Sequence, residues 1–310
     1  MELLLSRKNK IKKIAILLCT KNGEVYLAEQ LDSLIKQKNF KISIFVSDDK
    51  STDSTVNILK KSKYKKFIKK IFYNNFNSAS KNFHFLLNNV STKYDYYAFC
   101  DQDDIWKNNK IERAVKKLSL GFELYGSRTY LVNKLGKKTK LSLKFTKKPS
   151  FKNALVQNIA GGNTMVFSKK LFKFIKKIKI TNSPSHDWTT YIISSFKGYK
   201  VFYDQIPYIY YRQHEKNVIG SNIGLLNTIK RLLLTFRGKF KFWNESNIKI
   251  LKKIKNKGTL ENVSLLNSFI NYRRNYFLLF RDIIILRFPF YRQTKKGSMM
   301  LITAALLKLL

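Results

Sequence analysis

Three carboxylates crowd into four residues at Asp101-Gln102-Asp103-Asp104, in a chain with 61 Lys and Arg against 19 Asp and Glu. Like charges this close repel one another, which costs stability unless a cation or strong hydrogen-bond donors compensate. A hard divalent ion with oxygen ligands compensates them and bridges readily to phosphates. The competing reading is a solvated acidic turn or the cap of the next helix. Acids are scarce here, so the metal reading is preferred, with Asp104 left to the cap. A second pair, Asp48-Asp49, precedes Lys50-Ser51-Thr52-Asp53. A carboxylate there can accept hydrogen bonds from a nucleotide base or ribose. Ser51, Thr52 or Asp53 can equally cap the next helix, and both readings stand.

The surrounding pattern says what must hold these acids. Ile14 to Cys19 is a short apolar run of the kind a buried parallel strand needs. Glu24 to Gln37 carries a helical apolar stripe. Strands are expected at Ile42 to Ser47, Phe67 to Tyr73 and Tyr94 to Cys100, and helices at Thr52 to Lys60, Ala79 to Asn89 and Asn108 to Leu118. Alternating strands and helices predict right-handed crossovers and a mostly parallel α/β sheet flanked by helices. Ligands bind such sheets at the carboxyl ends of their strands, where Thr20-Lys21-Asn22, Asp48-Asp49 and Asp101 to Asp104 all fall. Beyond residue 120 the alternation loosens. Gly161-Gly162-Asn163 marks a turn before a strand at Thr164 to Phe167. His186-Asp187-Trp188 opens an apolar helix, and Val201 to Arg212 reads as two strands around Pro207. His84, in an apolar helical stretch, reads as structural.

The formal charge of +42 must attract polyanions, whether nucleic acid, anionic lipid or phosphorylated substrate. The lysines are spread along the chain, and its richness in Lys, Asn, Ile, Phe and Tyr is what AT-rich codon usage favours. The charge therefore supports an anionic partner without specifying one. Zinc-finger spacing and aromatic-basic recognition strands are missing, so no nucleic acid is expected. Cys19 and Cys100 fit neither a disulfide framework nor a metal spacing, and read as small apolar residues at strand ends in a reducing compartment. Met1 to Leu5 followed by Arg7, Lys8 and Lys10 lacks the order of a signal peptide. No window reaches the roughly 18 apolar residues of a spanning helix. A cytoplasmic protein is expected.

Residues 12 to 215 resemble the inverting family 2 glycosyltransferases of GT-A fold, in the rhamnosyltransferase-like bacterial subgroup. Ile16 to Gly23, with Tyr26-Leu27 and Glu29 to Ser33, is similar to that family's first strand and helix, and Ser47 to Thr55 to its second-strand motif. Cys100 to Trp106 resembles its metal motif. Gly162 to Phe167, His186-Asp187-Trp188 and Tyr211 to His214 follow in the family's order. Six ordered matches are far more specific than one. The resemblance implies transfer of a sugar, with inversion, from a nucleotide-sugar donor (dTDP-rhamnose or a UDP-sugar) to a saccharide acceptor in surface polysaccharide synthesis. It implies Thr20, Asp48, Asp49 and Asp101 at the donor, and Mg²⁺ or Mn²⁺ on Asp103, completed by His214. It implies Asp187 as general base, with Gly162, Asn163 and Trp188 near the sugars. Three departures stand out. Lys21 replaces a frequent aromatic, Lys50 a frequent glycine that eases the turn after Asp49, and Asn108 a usual proline.

Residues 1–220 are thus expected to form the catalytic domain, and 221–310 a basic amphipathic helical region with breaks at Gly238 and Gly258. Leu225 to Phe240 and Tyr276 to Tyr291 interleave apolar clusters with arginines. That suits either an anionic membrane surface, where a lipid-linked acceptor would be met, or packing on the catalytic domain. A peripheral location at the inner face of the cell membrane follows from the first. Two rivals use the same features: a metal-dependent nucleotidyltransferase and a basic nucleic-acid-binding protein.

Overall fold

The computed structural model describes residues 11–215 and 238–310. The expectations placed on Met1 to Leu5, on most of Leu225 to Phe240 and on the boundary at 220/221 lie outside them.

Strand β1 (Lys12–Thr20) is followed by α1 (Leu27–Ile35), β2 (Phe40–Asp48), α2 (Thr55–Leu59), α3 (Ser62–Lys65), β3 (Ile68–Tyr73), α4 (Ala79–Asn89) and β4 (Tyr96–Cys100). Then come β5 (Ile105–Trp106), α5 (Lys110–Leu118), β6 (Leu124–Ser127), β7 (Tyr130–Val132) and β8 (Lys138–Leu141). The chain continues through α6 (Phe151–Ala154), β9 (Val166–Ser168), α7 (Lys169–Ile178), α8 (His186–Phe196), β10 (Val201–Asp204) and β11 (Ile209–Arg212). Four further helices are α9 (Lys239–Lys253), α10 (Leu260–Arg274), α11 (Tyr276–Ile284) and α12 (Lys295–Leu306). Gly238, at φ +76°, sits just before α9, and Gly258 separates α9 from α10.

A seven-stranded sheet has the order β10-β6-β9-β4-β1-β2-β3. Its pairs are parallel except β4/β9 and β6/β9, where β9 runs against both neighbours. The mostly parallel sheet is therefore present. The apolar run of β1 alternates between its faces: Ala15 and Leu17 join one core, Ile14, Ile16 and Leu18 the other. Each buried Leu or Ile among them contributes about 1.5–3 kcal/mol. The first core takes in α4, α7 and α8 and also Ile248, Leu251, Leu266, Phe269 and Leu301 of the C-terminal helices. Those helices thus share a core with the large sheet.

The two strands around Pro207 belong to different sheets. Strand β10 ends the large sheet, whereas β11 pairs with β5 and β7 in a four-stranded sheet ordered β5-β11-β7-β8. This small sheet folds the chain after Arg212 back onto the residues after β4.

Candidate active site

Parallel pairing sets Thr20 beside Asp48 at the carboxyl ends of β1 and β2. The Thr20 hydroxyl donates to Asp48 Oδ1 at 2.8 Å, and Ser51 adds its backbone N–H at 3.0 Å and its hydroxyl at 2.6 Å. Asp49 accepts three backbone N–H groups, from Phe76, Asn77 and Ser78. Both carboxylates organise the loops that wall this edge. Lys50 has φ +57°, a left-handed conformation that glycine adopts without cost, so the turn after Asp49 is strained as the substitution implied. Lys21 reaches Asn77 Oδ1 and lies 3.9 Å from Asp49. The Gln102 amide clamps the Lys21 backbone, accepting from its N–H at 2.8 Å and donating to its carbonyl at 3.0 Å.

The acid cluster sorts into three roles. Asp103 Oδ2 lies 2.8 Å from His214 Nε2, and the His214 ring lies 5.1 Å from that of Tyr26. Burial pushes the Asp101 carboxyl up to about 7, and the negative charges of Asp103 and Asp187 push the same way, while Lys110 opposes them. Asp104 is fully buried and does not cap a helix, which corrects the expectation. A short strand follows it instead, and its oxygens accept Asn163 Nδ2 at 2.6 Å and the Arg212 backbone N–H at 3.1 Å. Burial, with Asp103 and Asp101 nearby, raises its pKa well above the usual carboxylate range.

Two buried cations stand near these acids, and the charge of one, Lys110, opposes the upward push on Asp101. The Lys110 side chain is fully buried, lies 3.1 Å above the Trp106 ring and donates to the Asn163 carbonyl at 2.8 Å. Burial pulls its pKa down to about 7 against the pull of Cys100, Asp104 and Asp101. Arg212, also buried, donates to the carbonyls of Asp103 at 3.0 Å and Lys134 at 2.7 Å and pairs with Glu29. Sequence reasoning assigned no site role to either. Lys110 had a signal: it lies on the apolar stripe of α5 with Ile111, Ala114 and Leu118, where a lysine is out of place unless paired.

Asp187 enters from the first turn of α8. It accepts the Gly162 N–H at 3.1 Å, the Trp188 N–H at 2.7 Å and the Ser185 hydroxyl. Its negative charge adds to the upward push on the Asp101 carboxyl. Gly162 serves a close approach to protein: a Cβ there would stand 3.2–3.4 Å from two His186 ring carbons and nearer still to Nε2. Burial lowers the His186 pKa to about 4, so the ring is neutral, and it stacks on Phe83 at 3.9 Å between centroids. Asn163 is buried between Asp104 and Lys110. Trp188, which the resemblance sets near the sugars, is buried: its indole N–H donates to the Ala154 carbonyl at 2.6 Å, and its ring stacks on Phe240. His84 is structural, buried and bonded to Ser183 at 2.7 Å.

Among the described residues, no three His, Cys, Asp or Glu side chains form a metal cage by themselves. The Asp103–His214 pair, with Asp101 beside it, fits a different kind of site. Magnesium-type ions commonly take one or two carboxylates and complete their shell with substrate phosphates and water.

The sheet carries paired acids at its carboxyl edge and a further carboxylate, Asp187, on α8, and solved glycosyltransferases of GT-A fold share its architecture. The chain belongs to glycosyl transferase family 2, whose sequence model matches residues 15–179. It is 34% identical over 277 residues to the dTDP-rhamnosyl transferase RfbG of Shigella flexneri, covering 83% of this chain and 94% of that one. S. aureus TarS residues 1–349, solved with UDP-GlcNAc, share the fold at a TM-score of 0.54 and 17% identity, over 84% of this chain and 81% of that one. So does the mannosyltransferase PcManGT of Pyrobaculum calidifontis, solved with GDP-Man and Mn²⁺, at 0.52 and 14%, over 97% and 86%. The protein is a glycosyltransferase that moves a sugar from a nucleotide-sugar donor to a saccharide acceptor. The nucleotidyltransferase and nucleic-acid readings are not favoured.

Proposed function

We propose that the protein transfers a sugar with inversion, from dTDP-rhamnose or a UDP-sugar, to a saccharide of a bacterial surface polysaccharide at an anionic membrane surface. The observation that carries the chemistry is the Asp103–His214 pair at the carboxyl edge of the sheet, with the carboxyl of Asp101 beside it pushed up to about 7 by burial first and by the charges of Asp103 and Asp187 second. Likeness to a dTDP-rhamnosyl transferase along most of both chains supports the donor class. The Mn²⁺ and GDP-Man of the mannosyltransferase support a divalent cation as partner of the diphosphate.

Asp103 and His214 are the residues that would hold Mg²⁺ or Mn²⁺, with Asp101 turned to the ribose or to the ion. When bound, the ion screens the charge that develops on the departing diphosphate. Thr20, Asp48 and Asp49 shape the nucleoside end. Asp187, oriented by the Gly162 and Trp188 N–H groups, takes the proton from the acceptor hydroxyl. A positioned carboxylate of this kind contributes about 10²- to 10⁴-fold. Attack from the face opposite the diphosphate inverts the anomeric centre.

The test is Asp187→Asn. Nucleoside diphosphate binding with Mn²⁺ should survive while turnover falls at least 100-fold, and the wild-type product anomer should be inverted by NMR. Near-normal turnover or a retained anomer would refute the mechanism.

A further inference from the structure

Helix α11, with sequence YFLLFRDII, is apolar around nearly its whole circumference, a composition that belongs in an interior. It lies at the surface nonetheless. Leu279 and Asp282 face the protein, whereas Tyr276, Phe277, Phe280 and Ile284 are exposed. At 3.6 residues per turn these four fall within one arc of about 100°. The row continues past the helix end into Ile285 and Leu286. Leu286 is 91% exposed and has φ +56°, a conformation that favours Gly or Asn. The turn is held in place by the Arg287 and Phe288 N–H groups, which both donate to the Asp282 carbonyl. A large apolar side chain is therefore held outward by a backbone that would suit glycine.

The surroundings are cationic. Between Asn262 and Leu310 stand eight Arg and Lys and a single acid, Asp282. That acid is buried and bonded to the Tyr272 hydroxyl at 2.6 Å and to Arg281. Arg274 and Arg287 are exposed at the two ends of the helix, and Lys308 lies 5.2 Å from the Tyr276 ring. A second copy of a +42 chain would bring like charge against like charge.

We propose that, among the described residues, the Tyr276–Arg287 segment is the part that enters the membrane. Phe277, Phe280, Ile284 and Leu286 insert among acyl chains, and the arginines and lysines around them engage anionic headgroups. The inference rests on the membrane part of the proposed function and narrows it to one face, the exposed apolar arc of α11 and the turn after it. Aromatic and aliphatic side chains on one arc, with cations at its rim, are the features of an interfacial helix, and each headgroup-facing cation adds to the attraction.

The experiment uses the full chain and sedimentation with vesicles of phosphatidylglycerol and phosphatidylcholine, against phosphatidylcholine alone. Wild type should bind the anionic vesicles and release at high salt. Phe277→Ser/Leu286→Ser should bind at least tenfold more weakly, with unchanged melting temperature and unchanged transfer to a soluble acceptor. Binding equal to wild type would overturn this face while leaving the membrane reading intact. A wild type that ignores anionic vesicles would overturn both. A dimer that the double variant dissociates would make a second copy the occupant. Phe277→Cys carrying an environment-sensitive dye should be open to aqueous quencher before vesicles are added and shielded after. Burial raises the thiol pKa of Cys19 and Cys100, which directs the dye to the new cysteine. Shielding without vesicles would show that the chain covers the face itself.

Discussion

Gly162→Ala tests how Asp187 is held in place. The new methyl would stand 3.2 Å from His186 Cε1 and 3.4 Å from Cδ2, and closer still to Nε2. Non-bonded carbon contacts settle at about 3.5–4.0 Å, so methyl and ring must part by about 1 Å. The ring cannot supply that distance, because Phe83 stacks on it at 3.9 Å and the Phe99 ring meets it edge-on at 4.9 Å. The turn must move instead. Its movement lengthens the 3.1 Å bond from the Gly162 N–H to Asp187, a hydrogen bond to a charged group worth about 1.5–3 kcal/mol. It also works against Asn163, fixed by Asp104 and Lys110. Overpacking of this kind costs about 1–3 kcal/mol of stability, and a base displaced by about 1 Å costs about 10²-fold in rate. The assay is calorimetric melting together with kcat for sugar transfer and the affinity for nucleoside diphosphate with Mn²⁺. Melting temperature and kcat should fall while nucleotide affinity holds, since Thr20, Asp48 and Asp103 are untouched. Adding His186→Ala should recover part of the rate, because it removes the ring that the methyl meets. Wild-type melting with kcat within about threefold would refute the reasoning, as would a double variant no better than the two changes combined.

Two further outcomes follow from the buried charges. Asp101 holds its proton up to about pH 7, and a cation must displace it. Mn²⁺-dependent nucleotide affinity should therefore fall as pH drops below 7, by up to about tenfold per unit, and level off above; a slope that survives in Asp101→Asn would assign it to another group. Lys110→Met removes a lysine whose pKa burial pulls down to about 7. A lysine with a lowered folded-state pKa costs stability increasingly as pH falls from its unfolded value toward about 7, so the variant should lose that part of the rise of melting temperature between about pH 7 and about pH 10. Melting followed across that range checks it, and a wild-type slope in the variant would refute it.

Much of this protein is local, and local features are legible in a sequence. The apolar runs of β1, β2 and β4 and the stripes of α1 and α4 name their elements by period alone. Acids placed directly after a strand must lie at the sheet's carboxyl edge, whatever else the chain does. Ala79–Asn89 was readable for the same reason, since a helix of that length declares itself through its own spacing. What periodicity cannot carry is pairing between distant segments. Strand β11 joins β5 across about a hundred residues, and only that pairing sets His214 against Asp103 and the Arg212 backbone against Asp104. The same holds for burial: Asp104 reads locally as a cap, yet tertiary packing encloses it among Asn163 and Arg212. Lys110 shows in the sequence only as a lysine on an apolar stripe, and its carboxylate neighbours appear once the fold closes over it. Residue types and spacing decided which chemistry the chain carries, because charge and period are written locally. Which groups meet, and with what proton affinity, was decided by the tertiary structure, because desolvation and proximity exist only once remote segments are packed together.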